Sequence, residues 1–361
     1  MNEEVKRALF EKNARIIEAV KRRAELVCPG SLDMIAVTGS FASGDFHEKS
    51  DIDLLIVIGD DAGYALSHCF ILGDVGYDLY CHTWERLEHA AVYDSPYVSK
   101  LLDAQIVYCR EDAVRVRFEE LAERLKCRLE EPLTAEDIVH AENFLGRAKQ
   151  SYFDLASCGG ERYHFHLIGV VYALECAVYL LNHAVVRHGV RGICKELSEM
   201  PHLPKNFDRI HADLFREHTY AQAMTLAMEM IRNTAQFIEQ KRGAVCPKSA
   251  PCTDHLRGSY EELVSNYQNK LLLAVNDDNH YLSRMTLASA QLFFDEVGSA
   301  VDMKKTILIG SDAYETPESA FNAFVQALSQ YEELYVSCDL PICRYDEISA
   351  FEEAYLSSEN E

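Results

Sequence analysis

The spacing of apolar and polar positions predicts alternating helices and strands over about the first 130 residues. A helical pattern runs from the start to about Glu25, and another spans 112–129. Between them, short runs rich in β-branched and other apolar side chains predict four strands, at 34–39, 51–58, 77–83 and 104–109. The run at 51–58 stays apolar on both faces after its aspartates, as expected of a sheet covered by helices. This part is therefore predicted to be a small mixed β-sheet with flanking helices.

Beyond residue 130 the apolar spacing is helical almost throughout. Thr134 and Asp137 form a capping-box pattern at the start of the first helix. The periodicity then predicts three long helices, at 134–156, 164–188 and 207–241. The predicted fold class is α+β. Its three domains are the sheet domain at 1–130, an all-α bundle at 131–242 and, after a linker rich in Pro, Gly and small residues, a mostly helical C-terminal unit at 259–361.

The longest apolar stretch, at 167–186, approaches the length of a membrane span. Glu175 and Asn182 interrupt it, and a charged side chain near the bilayer centre costs about 3 kcal/mol or more. A central helix of a soluble bundle is therefore the better interpretation, and no membrane partner is expected. The start of the chain is charged and helix-like, without the apolar stretch of an export sequence. With 12 scattered cysteines in a chain too large to need disulfides, this predicts a cytoplasmic protein.

The formal net charge is −23, which argues against a nucleic-acid partner because such binding depends on clustered Lys and Arg. The charge is unevenly distributed, since residues 306–361 hold twelve Asp and Glu against the single Arg344, a net of −11. Nearly half of the excess therefore lies far along the chain from the strands at the start. The net charge consequently says little about any active site there.

Two aspartates open the second predicted strand. In a strand, residues i and i+2 project from the same face with Cα atoms about 6.6 Å apart, so Asp51 and Asp53 point the same way. Two carboxylates held this close repel each other unless a cation lies between them. Mg²⁺ meets that requirement, because it takes one or two carboxylates and fills its other positions with water and phosphate oxygens. The pair therefore predicts a magnesium site.

Gly39 and Ser40 precede this strand by a short loop. A glycine lets the backbone approach a phosphate closely, and a helix beginning at Phe41 would point free N–H groups at an anion. Ser40 adds a hydroxyl donor. Lys49, in the loop, is either a further triphosphate contact or a solvated loop charge. Asp78, on the third predicted strand, would complete a cluster of three carboxylates that bind metal, and it could also accept the proton of an attacking hydroxyl.

The chain resembles the DNA polymerase β-type nucleotidyltransferase superfamily in these residues. The resemblance rests on Gly-Ser, ten intervening residues, Asp-Ile-Asp before an apolar strand, and a further Asp on a later strand. A small catalytic domain followed by a helical bundle is most similar to the aminoglycoside, lincosamide and minimal nucleotidyltransferases. The resemblance implies that Gly39 and Ser40 hold nucleotide phosphates, that Asp51 and Asp53 hold magnesium, and that Asp78 stands where the family has its third carboxylate. The specific motifs cover roughly residues 30–110.

These observations together lead us to expect a Mg²⁺-dependent enzyme that transfers a nucleoside monophosphate, AMP from ATP, to a hydroxyl of a small molecule such as an aminoglycoside-like antibiotic. Adenylylation of a protein, and a nucleotide-binding scaffold without turnover, are the alternatives. Glu142 and Glu175, on predicted bundle helices, are candidates for the acceptor site. For Glu175 the alternative is a buried carboxylate paired to a neighbouring Arg or His.

Overall fold

The computed structural model describes residues 3–216, 218–251, 256–310 and 315–357. The chain divides into two compact units, Met1–Cys246 and Pro247–Glu361. The first unit holds a small mixed sheet with helices followed by a helical bundle, and the second is mostly helical. The predicted α+β class is therefore confirmed.

A four-stranded sheet forms the centre of the first part of the chain. Its strands are β1 (Leu32–Thr38), β2 (Asp53–Ile58), β5 (Cys81–Thr83) and β6 (Gln105–Cys109), in the order β5-β2-β1-β6. β1 pairs antiparallel with β2 and β6, and β2 pairs parallel with β5. Two further strands, β3 (His68–Leu72) and β4 (Val75–Leu79), form a separate antiparallel hairpin. A 3₁₀ turn, Asp61–Leu66, links β2 to this hairpin.

Ten helices of the first unit are described, five of them within the sheet region. The first five are α1 (Glu3–Val27), α2 (Gly39–Ser43), α3 (Trp84–Ala90), α4 (Ser99–Leu102) and α5 (Asp112–Glu130). The bundle adds α6 (Ala135–Ser157), α7 (Tyr163–Leu180), α8 (Gly189–Ser198), α9 (Phe207–Leu214) and α10 (Tyr220–Val245). The predicted capping box at the start of α6 is confirmed, since Thr134 and Asp137 bond reciprocally.

The two faces of the sheet meet different cores. On one face, side chains of α1 such as Ile16 and Val20 pack on Leu54 and Ile56 of β2. On the other face, Leu55 and its neighbours join a larger core that continues through α3 and α5 into the helices of the bundle. Sheet and bundle therefore share one continuous apolar interior. The predicted domain boundaries, 1–130, 131–242 and 259–361, stay predictions.

Several element boundaries differ from the predicted ones. The strand expected at 77–83 is split between β4 and β5, and β3 was not predicted. The helix expected over 164–188 ends at Leu180, after which the chain turns and Val186 N–H donates to the Pro96 carbonyl at 3.0 Å. The helix expected over 207–241 is two helices, because Thr219 and Gln222 form a capping box that starts α10 afresh. α8 lies in a stretch to which the pattern assigned no element of its own.

α7 is long and apolar enough to cross a membrane by length and composition, with 61% of the relevant window buried. Its buried residues include Val171, Leu174 and Val178, which belong to the core shared with the sheet. This degree of burial is typical of the central helix of a bundle, as the interrupted apolar pattern predicted.

The second unit has its own apolar core. Its helices are α11 (Ser259–Leu263), α12 (Asn269–Asn276), α13 (His280–Ala300), α14 (Pro317–Ser337) and α15 (Ile348–Ser357), and a π-helical segment, Val264–Gln268, joins the first two. Ser259 is buried and bonds the Leu256 carbonyl and the hydroxyls of Tyr331 and Tyr335. It therefore packs in the interior, and the residue before it, Gly258, is the N-cap of α11.

Candidate functional site

The turn after β1 brings Gly39 directly against the carboxylate of Asp53. Thr38 and Asp53 are register partners in the antiparallel pair, and the Thr38 hydroxyl donates to the Asp53 carbonyl at 3.3 Å. Gly39 adopts a φ of +62°, and a Cβ built on it would lie 2.0 Å from Asp53 Oδ2. Any side chain at position 39 would therefore displace the carboxylate. The short helix α2 starts at Gly39 itself rather than at Phe41.

Asp51 is close enough to Asp53 to influence its ionisation. Burial against the turn, reinforced by the negative charge of Asp51, raises the pKa of the Asp53 carboxyl, and Lys100 on α4 opposes the shift. The residue as a whole is exposed, so the desolvation concerns the side of the carboxylate that faces Gly39. Two like charges that raise a pKa in this way are an arrangement that a cation would relieve.

Asp78 lies on β4 in the hairpin. Tyr77 and Leu79, on either side of it, are buried in the core beneath α1, so by strand alternation Asp78 projects to the opposite face. Asp53 on β2 likewise points away from this core, since its neighbour Leu54 belongs to it. The thiol of Cys69 on β3 donates to Asp78 Oδ1 at 3.1 Å. The predicted role of Asp78 as base and metal ligand stays a prediction.

No group of three or more His, Cys, Asp or Glu side chains that could hold a metal ion occurs in the parts of the chain that the structure describes. The predicted cluster of Asp51, Asp53 and Asp78 as metal ligands therefore stays a prediction. The first two fit Mg²⁺ without the third, because this ion is commonly held by one or two carboxylates together with phosphate oxygens and water. Burial raises the pKa of Asp53 and the negative charge of Asp51 adds to the rise, and that added repulsion supports the fit.

A cleft of 560 Å³ opens beside the Gly39 turn. One wall comes from the sheet region and contains Gly39, Ser40, Ser43, Asp45 and Asp53. The opposite wall is the start of α8 and the turn before it, and contains Arg187, His188, Gly189, Arg191, Gly192 and Lys195. Three cationic side chains therefore face the turn and the carboxylate that were predicted to hold phosphates and metal.

Glu196 holds the turn before α8 in place. Its Oε1 accepts the backbone N–H groups of Arg187 and His188 at 3.2 and 2.9 Å and lies 2.7 Å from His188 Nδ1. Its Oε2 accepts the Tyr179 hydroxyl at 2.7 Å. Burial alone would raise the pKa of Glu196, but the hydrogen bonds from Tyr179, His188 and Arg187 outweigh it and lower the pKa below its ordinary value. The carboxylate is therefore held in its ionised form.

The sequence analysis missed this cationic wall. The stretch from Arg187 to Lys195 has four basic side chains, counting His188, around two glycines, a composition that favours an anion-binding turn at a helix start. The pattern was hidden because the preceding apolar run was extended as helix to position 188. Lys100 was also missed, since it lies on α4, which has only four residues.

The remaining predicted residues have simpler surroundings. Ser40 lines the cleft. Lys49 is exposed in the loop, where its backbone N–H donates to His47 Nδ1, and it is not among the described residues that line the cleft, so its triphosphate contact stays a prediction. Glu142 pairs with Arg242. Glu175 is paired with His211, as the alternative for this residue predicted.

Glu175 Oε1 lies 2.6 Å from His211 Nε2, and both residues are buried, with exposed fractions of 7% and 5%. Phe207 stacks on the His211 ring from the same helix, with centroids 6.3 Å apart. The pair is therefore enclosed in the bundle core, where it satisfies two polar side chains that would otherwise be buried without partners.

Comparisons with known proteins agree with the residues that carry the resemblance. Residues 14–166 match the family model described as a nucleotidyltransferase domain, which confirms the predicted resemblance to nucleotidyltransferases of the polymerase β type. Such domains generally transfer nucleotidyl groups and use a nucleoside triphosphate and a divalent metal.

A crystal structure of a nucleotidyltransferase-like protein from Exiguobacterium sibiricum 255-15 is similar to the chain over 63% of this chain and 78% of that chain, at 14% identity and a TM-score of 0.39. No curated protein matches the chain.

Proposed function

We propose that the protein transfers AMP from ATP to a hydroxyl group of a small molecule and releases pyrophosphate, in a Mg²⁺-dependent reaction. The observation that carries the proposal is the contact between the Gly39 turn and the Asp53 carboxylate inside a cleft with a cationic far wall. Phosphates and a divalent cation need these two surroundings next to each other.

The phosphates would lie between the two walls of the cleft. The Ser40 hydroxyl and the backbone N–H groups at the start of α2 would donate to the phosphates from one side. Arg187, Arg191 and Lys195 would neutralise them from the other side. Arg187 also forms an ion pair with Asp103, which holds its guanidinium near the cleft while leaving other N–H donors for a phosphate oxygen.

Asp51 and Asp53 would hold the magnesium ion, which supplies charge neutralisation at the reacting phosphates. Lys100 lies near Asp53 and would add positive charge on the same side. Asp53 lies at the start of β2, and its carboxylate is in contact with the Gly39 turn.

The acceptor hydroxyl oxygen would attack the α-phosphorus, the bond from this phosphorus to the bridging oxygen of pyrophosphate would break, and the hydroxyl proton would pass to Asp78. A carboxylate serves as general base when it is within hydrogen-bond reach of the hydroxyl. The acceptor would approach from the side on which Asp78 lies.

The test is incubation of the purified full chain with ATP labelled at the α-phosphate, Mg²⁺ and a panel of hydroxyl-bearing compounds that includes aminoglycosides. Label on a small molecule supports the proposal. Label on protein instead supports the adenylylation alternative, and no label with any acceptor supports a binding protein without turnover. Omission of Mg²⁺ should abolish transfer.

Variants locate the chemistry. Asp53→Asn and Asp51→Asn should each reduce transfer by at least about 100-fold, because each removes a carboxylate from a site whose purpose is to hold a dication. Asp61→Asn is the matched control, since Asp61 is an exposed aspartate of the same unit in the turn that follows β2, and it should transfer normally. Undiminished transfer by Asp53→Asn would contradict the assignment.

The site of action that the composition favours is the cytoplasm, with a small-molecule acceptor and without nucleic acid or membrane as partner. ATP is abundant there, which is consistent with the proposed donor. Fractionation of the cells that produce the protein checks this part of the proposal.

A further inference from the structure

The Glu196 carboxylate makes four contacts, and three of them converge on one short stretch of the chain. Three of them involve Arg187 and His188, immediately before α8, and the fourth is with the Tyr179 hydroxyl near the end of α7. The carboxylate has a side-chain exposure of 15%, so these hydrogen bonds are largely shielded from water. Charge-assisted hydrogen bonds in such surroundings are about twice as strong as neutral ones.

α8 does not need Glu196 to stay attached to the bundle. Ile193 and Leu197 are buried in the core shared by sheet and bundle and anchor the helix through apolar contacts. The buried Val186 anchors the chain just before the turn, but Arg187, His188 and Gly189 themselves are exposed and have no apolar anchor of their own. Glu196 therefore fixes the conformation of the turn rather than the position of the helix.

The turn has two outward contacts across the cleft region. His188 Nε2 lies 3.3 Å from Asp45 Oδ2 on the opposite wall, and Arg187 pairs with Asp103 at the end of α4. Gly192, one turn into α8, is packed so closely on His188 that a Cβ there would lie 2.2 Å from His188 Cβ. The ring of His188 is thereby held between Glu196, Asp45 and the backbone of the helix.

We propose that Glu196 is the positioning residue of the nucleotide site: its carboxylate holds the Arg187–Gly189 turn so that Arg187, Arg191 and the first N–H groups of α8 face the triphosphate. This inference rests on the proposed function, since it assigns the cationic wall to that ligand. Glu196 itself does not touch the substrate, because it contacts the side of the turn that faces the bundle.

The test measures binding of a non-hydrolysable ATP analogue with Mg²⁺ by titration calorimetry on the full chain. Glu196→Ala removes all four acceptor contacts and should weaken binding about 10-fold or more, with kcat at saturating ATP reduced by less than about threefold. Glu196→Gln keeps one acceptor oxygen and should recover part of the affinity. Asp208→Asn, an exposed carboxylate of the same bundle, is the control and should bind as the wild type does.

A second measurement reports the turn directly. Amide hydrogen exchange at Arg187 and His188 should accelerate in Glu196→Ala, while the amides of Ile193 and Leu197 keep their protection, since the apolar anchor remains. If Glu196→Ala unfolds the bundle, Tyr179→Phe, which removes a single hydrogen bond, serves in both measurements and should give the same pattern at smaller amplitude.

The two proposals fail differently. A wild-type protein that binds no triphosphate would overturn the proposed function, whatever the exchange data show. A wild type that binds the analogue while Glu196→Ala binds it equally well, or while exchange at residues 187 and 188 is unchanged, would overturn the role of Glu196 and leave the nucleotide site intact.

Discussion

Two glutamate–histidine pairs in the bundle differ in almost everything except their distance. Glu175 and His211 meet at 2.6 Å inside the core, and Glu196 and His188 meet at 2.7 Å on the wall of the cleft. The first pair is enclosed by apolar helices. The second has a largely shielded carboxylate, Glu196, and an exposed histidine, His188, that contacts Asp45.

The difference shows what burial contributes to a polar pair. In the core, Glu175 and His211 satisfy each other's need for a hydrogen-bond partner, and their burial shields them from a ligand. At the cleft, Glu196 is satisfied by backbone N–H groups as well, so its effect spreads to a whole turn and to the cations on it. Its apolar surroundings made Glu175 conspicuous in the sequence. The carboxylate that supports the cleft is instead Glu196, on α8.

Breaking the enclosed pair should have the largest effect on stability. Glu175→Ala leaves the buried His211 without its partner, and removing one member of a buried pair costs about 3 kcal/mol of unfolding free energy. Chemical denaturation measures the loss. The KM for ATP of the folded protein should stay within about twofold of the wild type. A large rise in the KM for the acceptor at unchanged stability would instead mean that Glu175 belongs to the acceptor site.

Replacing both members should cost much less than replacing one. The double variant Glu175→Leu/His211→Leu removes both polar groups from the core together, and such exchanges are often neutral or stabilising. We expect it to recover most of the loss, to within about 1.5 kcal/mol of the wild type. The single variants His211→Leu and Glu175→Leu complete the cycle, and additive losses would show that the two side chains do not interact.

The pKa of the Asp53 carboxyl should be shifted in the opposite direction from that of Glu196. Asp53 has a raised folded-state pKa, so between its ordinary value of 3.8 and the raised value the folded protein holds more protons at this group than the unfolded chain. This group's contribution to stability therefore increases as pH falls through that window. Carboxyl carbon resonances followed by NMR should show the Asp53 pKa moving down in Asp51→Asn, which removes the repulsion.

The control for this titration is Lys100→Ala, which removes the opposing positive charge and should move the Asp53 pKa further up. A pKa that does not respond to Asp51→Asn would mean that burial against the Gly39 turn accounts for the whole shift.

The outer contact of His188 should matter least. Asp45→Asn removes a pair in which both side chains are about half exposed, and such surface pairs contribute at most about 0.5 kcal/mol. Binding of the ATP analogue should weaken by no more than about twofold. An effect as large as that of Glu196→Ala would instead make the contact across the cleft the main support of the turn.

Much of the sheet side of the site could be predicted from local pattern. The glycine turn and Asp53 are close in sequence, and the antiparallel pairing of β1 with β2 brings Gly39, Ser40 and Asp53 to one cleft. The strand begins at Asp53 rather than at the predicted position 51, so strand alternation does not fix the side on which Asp51 lies. The hairpin strand β3 was missed because a short, exposed apolar run does not distinguish strand from loop.

The helical side was not predictable in the same way. Arg187 and Arg191 reach the cleft only because α7 ends at Leu180 and the chain turns back toward Pro96, a contact between residues 90 positions apart. Apolar periodicity cannot place such a turn, since the residues around it are themselves apolar. The boundary of one helix therefore decided whether Arg187 and His188 were counted as helix residues or as part of a turn beside the cleft.

The continuous interior beneath sheet and bundle sets the dimensions of the opening between them. Leu55 of β2 and Ile193 of α8 belong to the same packed core, so the volume of those interior side chains contributes to the spacing of the two walls. The width of the cleft can consequently change through substitution of interior residues far from it, with Gly39, Asp53 and Arg187 left untouched.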